Sequence, residues 1–329
     1  MRAFITGITG QDGSYLAELL LKKGYDVVGL VRRNHPEEYD RLESIIPRIR
    51  FVQGDLTDQN SLDEAVQRLQ PDELYNLGAQ SFAAGSWHQS VETAEVNGLG
   101  ALRVLEAIRR HSPGTRFVQA SSSEMFSRTD ATPLSEKNPL RPRSPYGAAK
   151  AFAHNVTVSY REKYGIFACS SIFFNHESPR RGSEFVTRKI TQHAAAIKLG
   201  IRNRLQLGNL DARRDWGYAA DYVQAMWLML QQPSAGDYVI ASGETHSVRE
   251  VLDIAFSHVG LDWHKYVEVD SSLLRNVQND SLCGDAGKAR TQLGWKPEVN
   301  FRQLIEMMVE SDLRTLHKEF AARSAAAGA

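Results

Sequence analysis

Apolar residues in the first half of the chain recur in two alternating patterns. Short β-branched and apolar runs at 3–6, 26–31, 50–53, 73–77, 116–121 and 168–174 predict strands. Between them lie stretches with helical spacing. One at 14–23 is closed by Gly24, and one at 61–69 puts Leu62, Ala65, Val66 and Leu69 on a single face. A long one covers 94–110. Pro145 stands where a further helix would start, and Gly165 ends it after Tyr164. Strands alternating with helices predict an α/β fold built on a doubly wound parallel sheet.

After Phe174 the pattern changes. Helical spacing at 186–199, 222–231, 248–259 and 301–317 is separated by polar, Arg-rich loops, with short strands at 204–207 and 237–240. This predicts a smaller, mostly helical C-terminal domain for substrate, with some segments crossing back to the sheet. The expected division is 1–175 for the sheet domain and 176–320 for the second. The Ala-rich stretch 321–329 lacks a capped, patterned face and reads as a flexible tail.

Composition narrows the function. A chain of 329 residues with 42% hydrophobic content can bury a large core. Lys and Arg number 39 and Asp and Glu number 39, so formal net charge is zero. That balance argues against a nucleic-acid partner or a polybasic membrane-surface role. No apolar run approaches the length of about 18 residues needed to span a membrane. The first residues enter a strand pattern at once, leaving no room for a signal peptide, and Cys169 and Cys283 read as reduced thiols in apolar segments. A cytoplasmic protein is the expectation. Within the basic residues 28 are Arg and only 11 Lys, and Arg is suited to bidentate phosphate recognition.

Two motifs carry the chemistry. Gly7, Thr9, Gly10, Gln11, Asp12 and Gly13 lie in a GxxGxxG turn between the first strand and the first helix. Glycines let the backbone turn and approach a pyrophosphate that then sits at the helix N-terminus. Where an NAD site places an acid at the end of the second strand, this chain has Arg32 and Arg33, which suit the 2′-phosphate of NADP. Asp55 and Leu56 fall where adenine would be contacted, and Leu77, Gly78 and Ala79 offer small residues beside the cofactor. In the second motif Tyr146 and Lys150 stand four apart, on one helix face, after the fifth strand. A nearby ammonium and an oxidised nicotinamide would favour the phenolate, making a base for a sugar hydroxyl. Glu124, in the segment ASSSEMF at the end of that strand, is surplus to alcohol oxidation. It becomes useful if a proton must leave the carbon beside a new ketone.

With these residues the chain resembles the extended short-chain dehydrogenases/reductases, and within them the GDP-mannose 4,6-dehydratases. The resemblance covers about residues 3 to 310 and rests on 7–16 (GITGQDGSYL), 76–81 (NLGAQS), 144–150 (SPYGAAK), 174–182 (FNHESPRRG), 186–190 (VTRKI) and 214–217 (RDWG). It implies a Rossmann-like sheet, NADP as cofactor, and no metal. It also implies conversion of GDP-mannose to GDP-4-keto-6-deoxymannose by C4 oxidation, loss of water across C5 and C6, and hydride return to C6. Tyr146 would take the C4 hydroxyl proton, Glu124 the C5 proton, Ser122 would bind the C4 oxygen, and Lys150 would hold the ribose. Ser81 would lie beside cofactor and sugar, His176 and Arg181 beside the cofactor. Asn175, Val186, Lys189, Arg214 and Arg275 would line the nucleotide-diphosphate site. The sequence departs from the family pattern at Ser122 (usually Thr), Phe126-Ser127 (Tyr-Gly), Gln278 (Glu) and around Phe82 and 85–88, and the loop after Arg33 is short. A homo-oligomer is implied, a dimer or a tetramer. The same chemistry on a GDP-heptose or another GDP-hexose stays open, as does a nucleotide-sugar epimerase or reductase of this superfamily.

Overall fold

The first apolar run becomes β1 (Arg2–Thr6), buried along Ala3–Thr6, and the glycine turn after it opens α1 (Gln11–Lys22). The chain then makes β2 (Asp26–Val31), β3 (Ile49–Gln53), α2 (Gln59–Leu69) and β4 (Glu73–Asn76). The next helix begins earlier than its apolar pattern indicates. It runs as α3 (Ser90–Thr93), a π-helical turn over Ala94–Leu99, and α4 (Gly100–His111). β5 (Arg116–Ser122), α5 (Pro145–Tyr164) and β6 (Ala168–Phe173) complete the first half. The computed structural model describes residues 1–32, 36–126, 132–273 and 282–327.

The second half contains β7 (Asn175–Glu177), α6 (Val186–Lys198), β8 (Leu205–Leu207), β9 (Arg213–Arg214), β10 (Trp216–Tyr218) and α7 (Ala219–Leu230). β11 (Asp237–Ile240), β12 (His246–Ser247), α8 (Val248–His258), β13 (Val267–Val269) and α9 (Phe301–Ala327) follow. Helix α9 extends ten residues beyond the end its pattern predicts at 317. Alanine has the highest helix propensity, so an Ala-rich stretch can continue a helix without a patterned face.

Seven parallel strands form one sheet in the order β11-β6-β5-β4-β1-β2-β3. The chain winds outwards from β1 in one direction, then restarts at β4 in the other. The crevice beyond the carboxyl ends of β1 and β4 is therefore the topological switch point, where such sheets bind ligands. One face is covered by α1 and α7 through Leu16, Leu20, Met226 and Met229, the other by α2 and α4 through Leu62, Val66, Val104 and Leu105. β11 and α7 thus return to the sheet from the second half of the sequence. A separate apolar cluster joins α6, α8 and α9 through Ile190, Leu252, Phe256, Ile305 and Val309.

Local signals explain the helix ends near the site. Ser144 accepts from Gly147 N at 3.0 Å, Pro145 takes the first helical position of α5, and Gly165 ends it at φ +68°. Ser247 and Glu250 cap α8 reciprocally. By contrast, Gly10 at the start of α1 supplies no side-chain cap.

Asp215, in the RDWG stretch, is fully buried and works as a staple. It accepts hydrogen bonds from Ser242 N (2.8 Å), Ser242 Oγ (2.6 Å), Gly243 N (3.0 Å) and Gly284 N (3.1 Å). Burial pushes its carboxyl up, against the pull of these four donors. Asp215→Ala strands all four and should cost about 3 kcal/mol or more. The expected reading is a clearly lower urea midpoint; an unchanged midpoint would remove the staple from this account.

Candidate active site

The glycine turn is shaped by close approach. Gly7 has φ +69°, and a Cβ there would lie 2.7 Å from Gly78 N and 2.8 Å from Leu77 C. The turn after β1 is thus held against the Leu77–Gly78 main chain after β4, and Leu56 Cδ1 closes on Gly78 from behind. Gly10 N donates to Gly7 O at 3.1 Å, but among the described residues the N–H groups of Gln11, Asp12 and Gly13 have no main-chain acceptor. An uncapped helix start with free donors at a switch point suits a pyrophosphate. Arg32 stands exposed just past β2, beside that turn through the Thr6–Leu30 pairing. These residues fit a dinucleotide. Asp55 is less open than its sequence position implies, because its Oδ1 accepts from Thr57 N and Thr57 Oγ1, both at 2.8 Å. Arg33 and Arg275 lie outside the described residues, as does Gln278.

Side chains of the same turn reach into the second half of the protein. Asp12 Oδ2 accepts from His176 Nε2 at 2.9 Å, and His176 Nδ1 donates to Phe174 O at 2.8 Å. Burial opposes both charges, yet the pair prevails: Asp12 is held below and His176 above their ordinary values. Gln11 donates to His176 O at 3.2 Å and accepts from Ser178 Oγ at 2.7 Å.

At the carboxyl end of β5, Ser122 Oγ accepts from Glu124 N at 3.2 Å and caps the short 3₁₀ turn Ser123–Met125. Helix α5 starts against this turn. A Cβ on Gly147 would sit 2.4 Å from Glu124 O, so only glycine lets the two segments meet there. Tyr146 is consequently brought beside Ser122 and Glu124. Burial pushes its phenol up to about 12; Ser122 and Arg181 pull it down while Glu124 and Asp12 push it further up. Lys150 is 3% exposed and donates to Ala120 O at 2.9 Å, with Nζ 5.8 Å from the Tyr146 ring centroid. Burial lowers its own pKa to about 8. In the protein alone Lys150 spends one donor on Ala120 O, and Arg181 is a cation that draws the phenol down.

Arg181 forms a 3.2 Å ion pair with buried Glu177 and lies 3.4 Å over the Phe185 ring. Glu177 also accepts from Thr187 Oγ1 at 2.5 Å, which ties Arg181 to the first turn of α6. Val186 begins that helix, and Lys189 Nζ donates to Gln206 O at 2.8 Å. Lys189 and Gln206 line a cavity of about 360 Å³ with His193, Arg202 and Arg204. Asn175 in β7 pairs with Trp216, and Arg214 in β9 pairs with His246. Ser81 is exposed beyond β4, and Ala79 half-buried before it.

Three positioning residues escape sequence reasoning. Asn97, in the π-helical turn, grips the Gln80 main chain from both sides, accepting from Gln80 N at 2.8 Å and donating to Gln80 O at 2.9 Å. Ser86 Oγ accepts from Tyr146 N at 3.3 Å. Phe185 receives Arg181 on its face and meets Phe82 in a T-shaped contact with ring centroids 5.9 Å apart. The one signal in the sequence was the pair of departures from the family pattern at Phe82 and at 85–88, which border this loop.

Comparison with known proteins places this geometry. The family model described as GDP-mannose 4,6 dehydratase matches residues 4–308. GDP-mannose 4,6 dehydratase 1 of Arabidopsis thaliana is 50% identical, covering 96% of this chain and 91% of its own length. GDP-mannose 4,6 dehydratase of Homo sapiens is 45% identical, with 95% and 92% covered. Among solved structures, dTDP-glucose 4,6-dehydratase DesIV of Streptomyces venezuelae, with NAD and TYD bound, superposes with a TM-score of 0.83 at 26% identity, covering 94% of this chain and 96% of its own. UDP-glucose 4-epimerase of Thermotoga maritima superposes with a TM-score of 0.85 at 22% identity, covering 96% and 100%, and bears on the fold alone. The near-complete match of sequence, together with the Ser122, Glu124, Tyr146 and Lys150 arrangement at the switch point, assigns the chain to the GDP-mannose 4,6-dehydratase family.

Proposed function

We propose that this chain converts GDP-mannose to GDP-4-keto-6-deoxymannose and water, using NADP. The observation that carries the reading is a carboxylate, Glu124, standing beside Tyr146 and Ser122 at the end of β5 in a chain of this family. Epimerisation at C4 alone has no C5 proton for that carboxylate to remove.

NADP, when bound, supplies the hydride acceptor at C4 and returns the hydride at C6, so the overall reaction is redox-neutral. The uncapped start of α1, Arg32, Lys150 and the small residues at 77–79 would hold it. Tyr146 takes the C4 hydroxyl proton. Its pKa of about 12 in the protein alone is too high for a base at neutral pH, so added positive charge must lower it. Ser122 binds the C4 oxygen through its hydroxyl. Glu124 removes the C5 proton, which the C4 ketone has acidified, and delivers it to the C6 oxygen as it leaves in water; hydride return to C6 is then matched by a proton to C5, equivalent to the one Tyr146 took from the C4 hydroxyl. Asn175, Val186, Lys189 and Arg214 bind the nucleotide diphosphate, and His176 and Arg181 lie on the cofactor side.

Among the described residues no helix is long and apolar enough to cross a membrane. A cytoplasmic location and a division near residue 175 belong to the proposal. So does a homodimer: Trp87, Val91 and Phe152 stand 64%, 78% and 41% exposed on the surface made by α3, α5 and the turn before α3. Sedimentation should give twice the chain mass, and a monomer would remove that part.

The reaction is tested by mass spectrometry of products from GDP-, UDP-, CDP- and dTDP-hexoses. Loss of one water from GDP-mannose alone is expected; loss from another hexose, or none, would overturn the substrate. Glu124→Gln should lower dehydration by about 10²- to 10⁴-fold while cofactor reduction by substrate persists. Dehydration near the wild-type rate would remove Glu124 from the elimination.

Lys150 gives a pH test of the buried cation. Below pH 8 folded and unfolded chains both carry its proton, and the cost of burying the charge is fully present. Between about 8 and 10.5 the unfolded chain alone binds the proton, so this group's contribution to stability rises with pH. Lys150→Met should therefore stabilise the cofactor-free protein most below pH 8, with the difference fading towards pH 10.5. A difference in urea midpoint that does not change with pH would contradict this.

A further inference from the structure

Two arms hold Arg181, and both end on α6. The first is Glu177, the last residue of β7, whose buried carboxylate places Oε2 3.2 Å from Arg181 Nε. The same oxygen accepts from Thr187 Oγ1 at 2.5 Å. The second arm is Phe185, which takes the guanidinium 3.4 Å over its ring and immediately precedes α6. In the first turn of that helix Thr187 alone is buried, while Val186, Arg188 and Lys189 are half-buried. The face of the helix start that points inwards therefore ends on the residue that holds Arg181.

The arm through Glu177 is not fully drawn. Arg181 Nε is buried, yet its approach to Glu177 lacks the alignment of a hydrogen bond. One carboxylate oxygen is shared between the Thr187 hydroxyl and the guanidinium, so a small movement of α6 changes where Glu177 holds Arg181. That helix start is also where the nucleotide diphosphate would press, because Val186 and Lys189 flank Thr187 in its first turn. At the other end stands Tyr146. The groups facing its phenol are Asp12 from α1, Ser122 and Glu124 from the end of β5, Arg181 from the segment after β7 and Lys150 from α5 itself. Of the two cations, Lys150 donates to Ala120 O, whereas Arg181 takes its place from its two arms. A guanidinium drawn nearer the phenol favours the phenolate.

We propose that Glu177 is a positioning residue, gripped by Thr187 when a nucleotide seats on α6, and that it then turns Arg181 towards the Tyr146 hydroxyl. The nucleotide half of the substrate thereby readies the base for the sugar half. The inference rests on the proposed roles of α6 and Tyr146. GDP, which lacks the sugar and cannot turn over, is the probe. With NADP bound throughout, NMR of protein labelled with carbon-13 at tyrosine Cζ follows the ionisation of Tyr146, whose resonance is the one missing from Tyr146→Phe. In the unaltered protein GDP should lower the midpoint by about one pH unit. The negative charge of the diphosphate acts in the opposite direction, so a fall reports Arg181 rather than the added anion. Thr187→Val and Glu177→Asp keep every charge around Tyr146 and break the arm, the first by removing the hydroxyl and the second by shortening the reach. In each, GDP should leave the midpoint unchanged or raise it, and Glu177→Asp serves if the valine variant fails to fold. Thr187→Ser keeps the hydroxyl and should keep the fall. A residue that merely supported the fold would change stability without altering the effect of GDP. A midpoint that GDP does not lower in the unaltered protein, or lowers equally in a folded valine or aspartate variant, would overturn the inference. Failure of GDP to bind, read by calorimetry, would overturn the nucleotide reading of α6, and this inference with it.

Discussion

The buried contact between Asp12 and His176 is the constraint on which the rest of the site depends. Both partners of the imidazole, the Asp12 carboxylate and the Phe174 carbonyl, are acceptors, so both ring nitrogens must donate and the ring is charged. A charged imidazole is stable in this buried place because Asp12 is charged too. The pair fastens the first turn of α1 to β7, which carries the chain from the sheet towards α6. With β7 fixed, Glu177 holds Arg181 in the field of Tyr146, and Thr187 is drawn to Glu177 at the start of α6. One ion pair thus sets the distance between the cofactor turn, the proposed base and the proposed nucleotide helix.

The sheet was legible because its information is local. A buried parallel strand needs a run of β-branched and apolar residues, and the crossover helices need one apolar face. Both leave their period in the sequence, as at Leu62, Ala65, Val66 and Leu69. In the second half β8 and β11 leave a trace at 204–207 and 237–240, but the shortest strands leave none. β7 is Asn-His-Glu, and β9 and β12 have two residues each, too few for any alternation. The π-helical turn was equally silent. Its purpose lies in where it points Asn97, a contact across 17 residues to Gln80 that no local pattern encodes.

The same distinction runs through the site. The glycine turn and the Tyr146/Lys150 pair follow from backbone geometry and helical spacing, and the structure places both at the switch point. Serine at 122 reads from the sequence as a hydroxyl for the substrate, while in the fold it also caps the Glu124 turn. Gly147 looks like an ordinary small residue after Tyr146. Its constraint comes from Glu124 O, which arrives from another element. The main-chain bond of Lys150 was hidden for a related reason. Helical spacing placed the two side chains on one face, but the orientation of the ammonium was decided by Ala120 O, on β5.

The arginine-rich composition acquires its meaning from pairing. At 180–181, 188–189 and 213–214 two cations are adjacent in sequence, and in each case the first is committed within the fold. Arg180 meets Glu18, Arg188 meets Asp312 and Arg213 meets Glu250. Neighbouring residues project in different directions, on opposite faces in an extended segment and about 100° apart on a helix, and in these three pairs they do not share an acid. The second member of each pair goes elsewhere: Arg181 to Glu177 and into the field of Tyr146, Lys189 to Gln206 O and the cavity beside it, Arg214 to the edge it shares with His246. Zero net charge is what such a division produces. Part of the arginine charge is cancelled by acids that hold segments of the fold in place, as at Arg180, Arg188 and Arg213, and those segments carry further cations towards the place where an anionic substrate and cofactor would meet them.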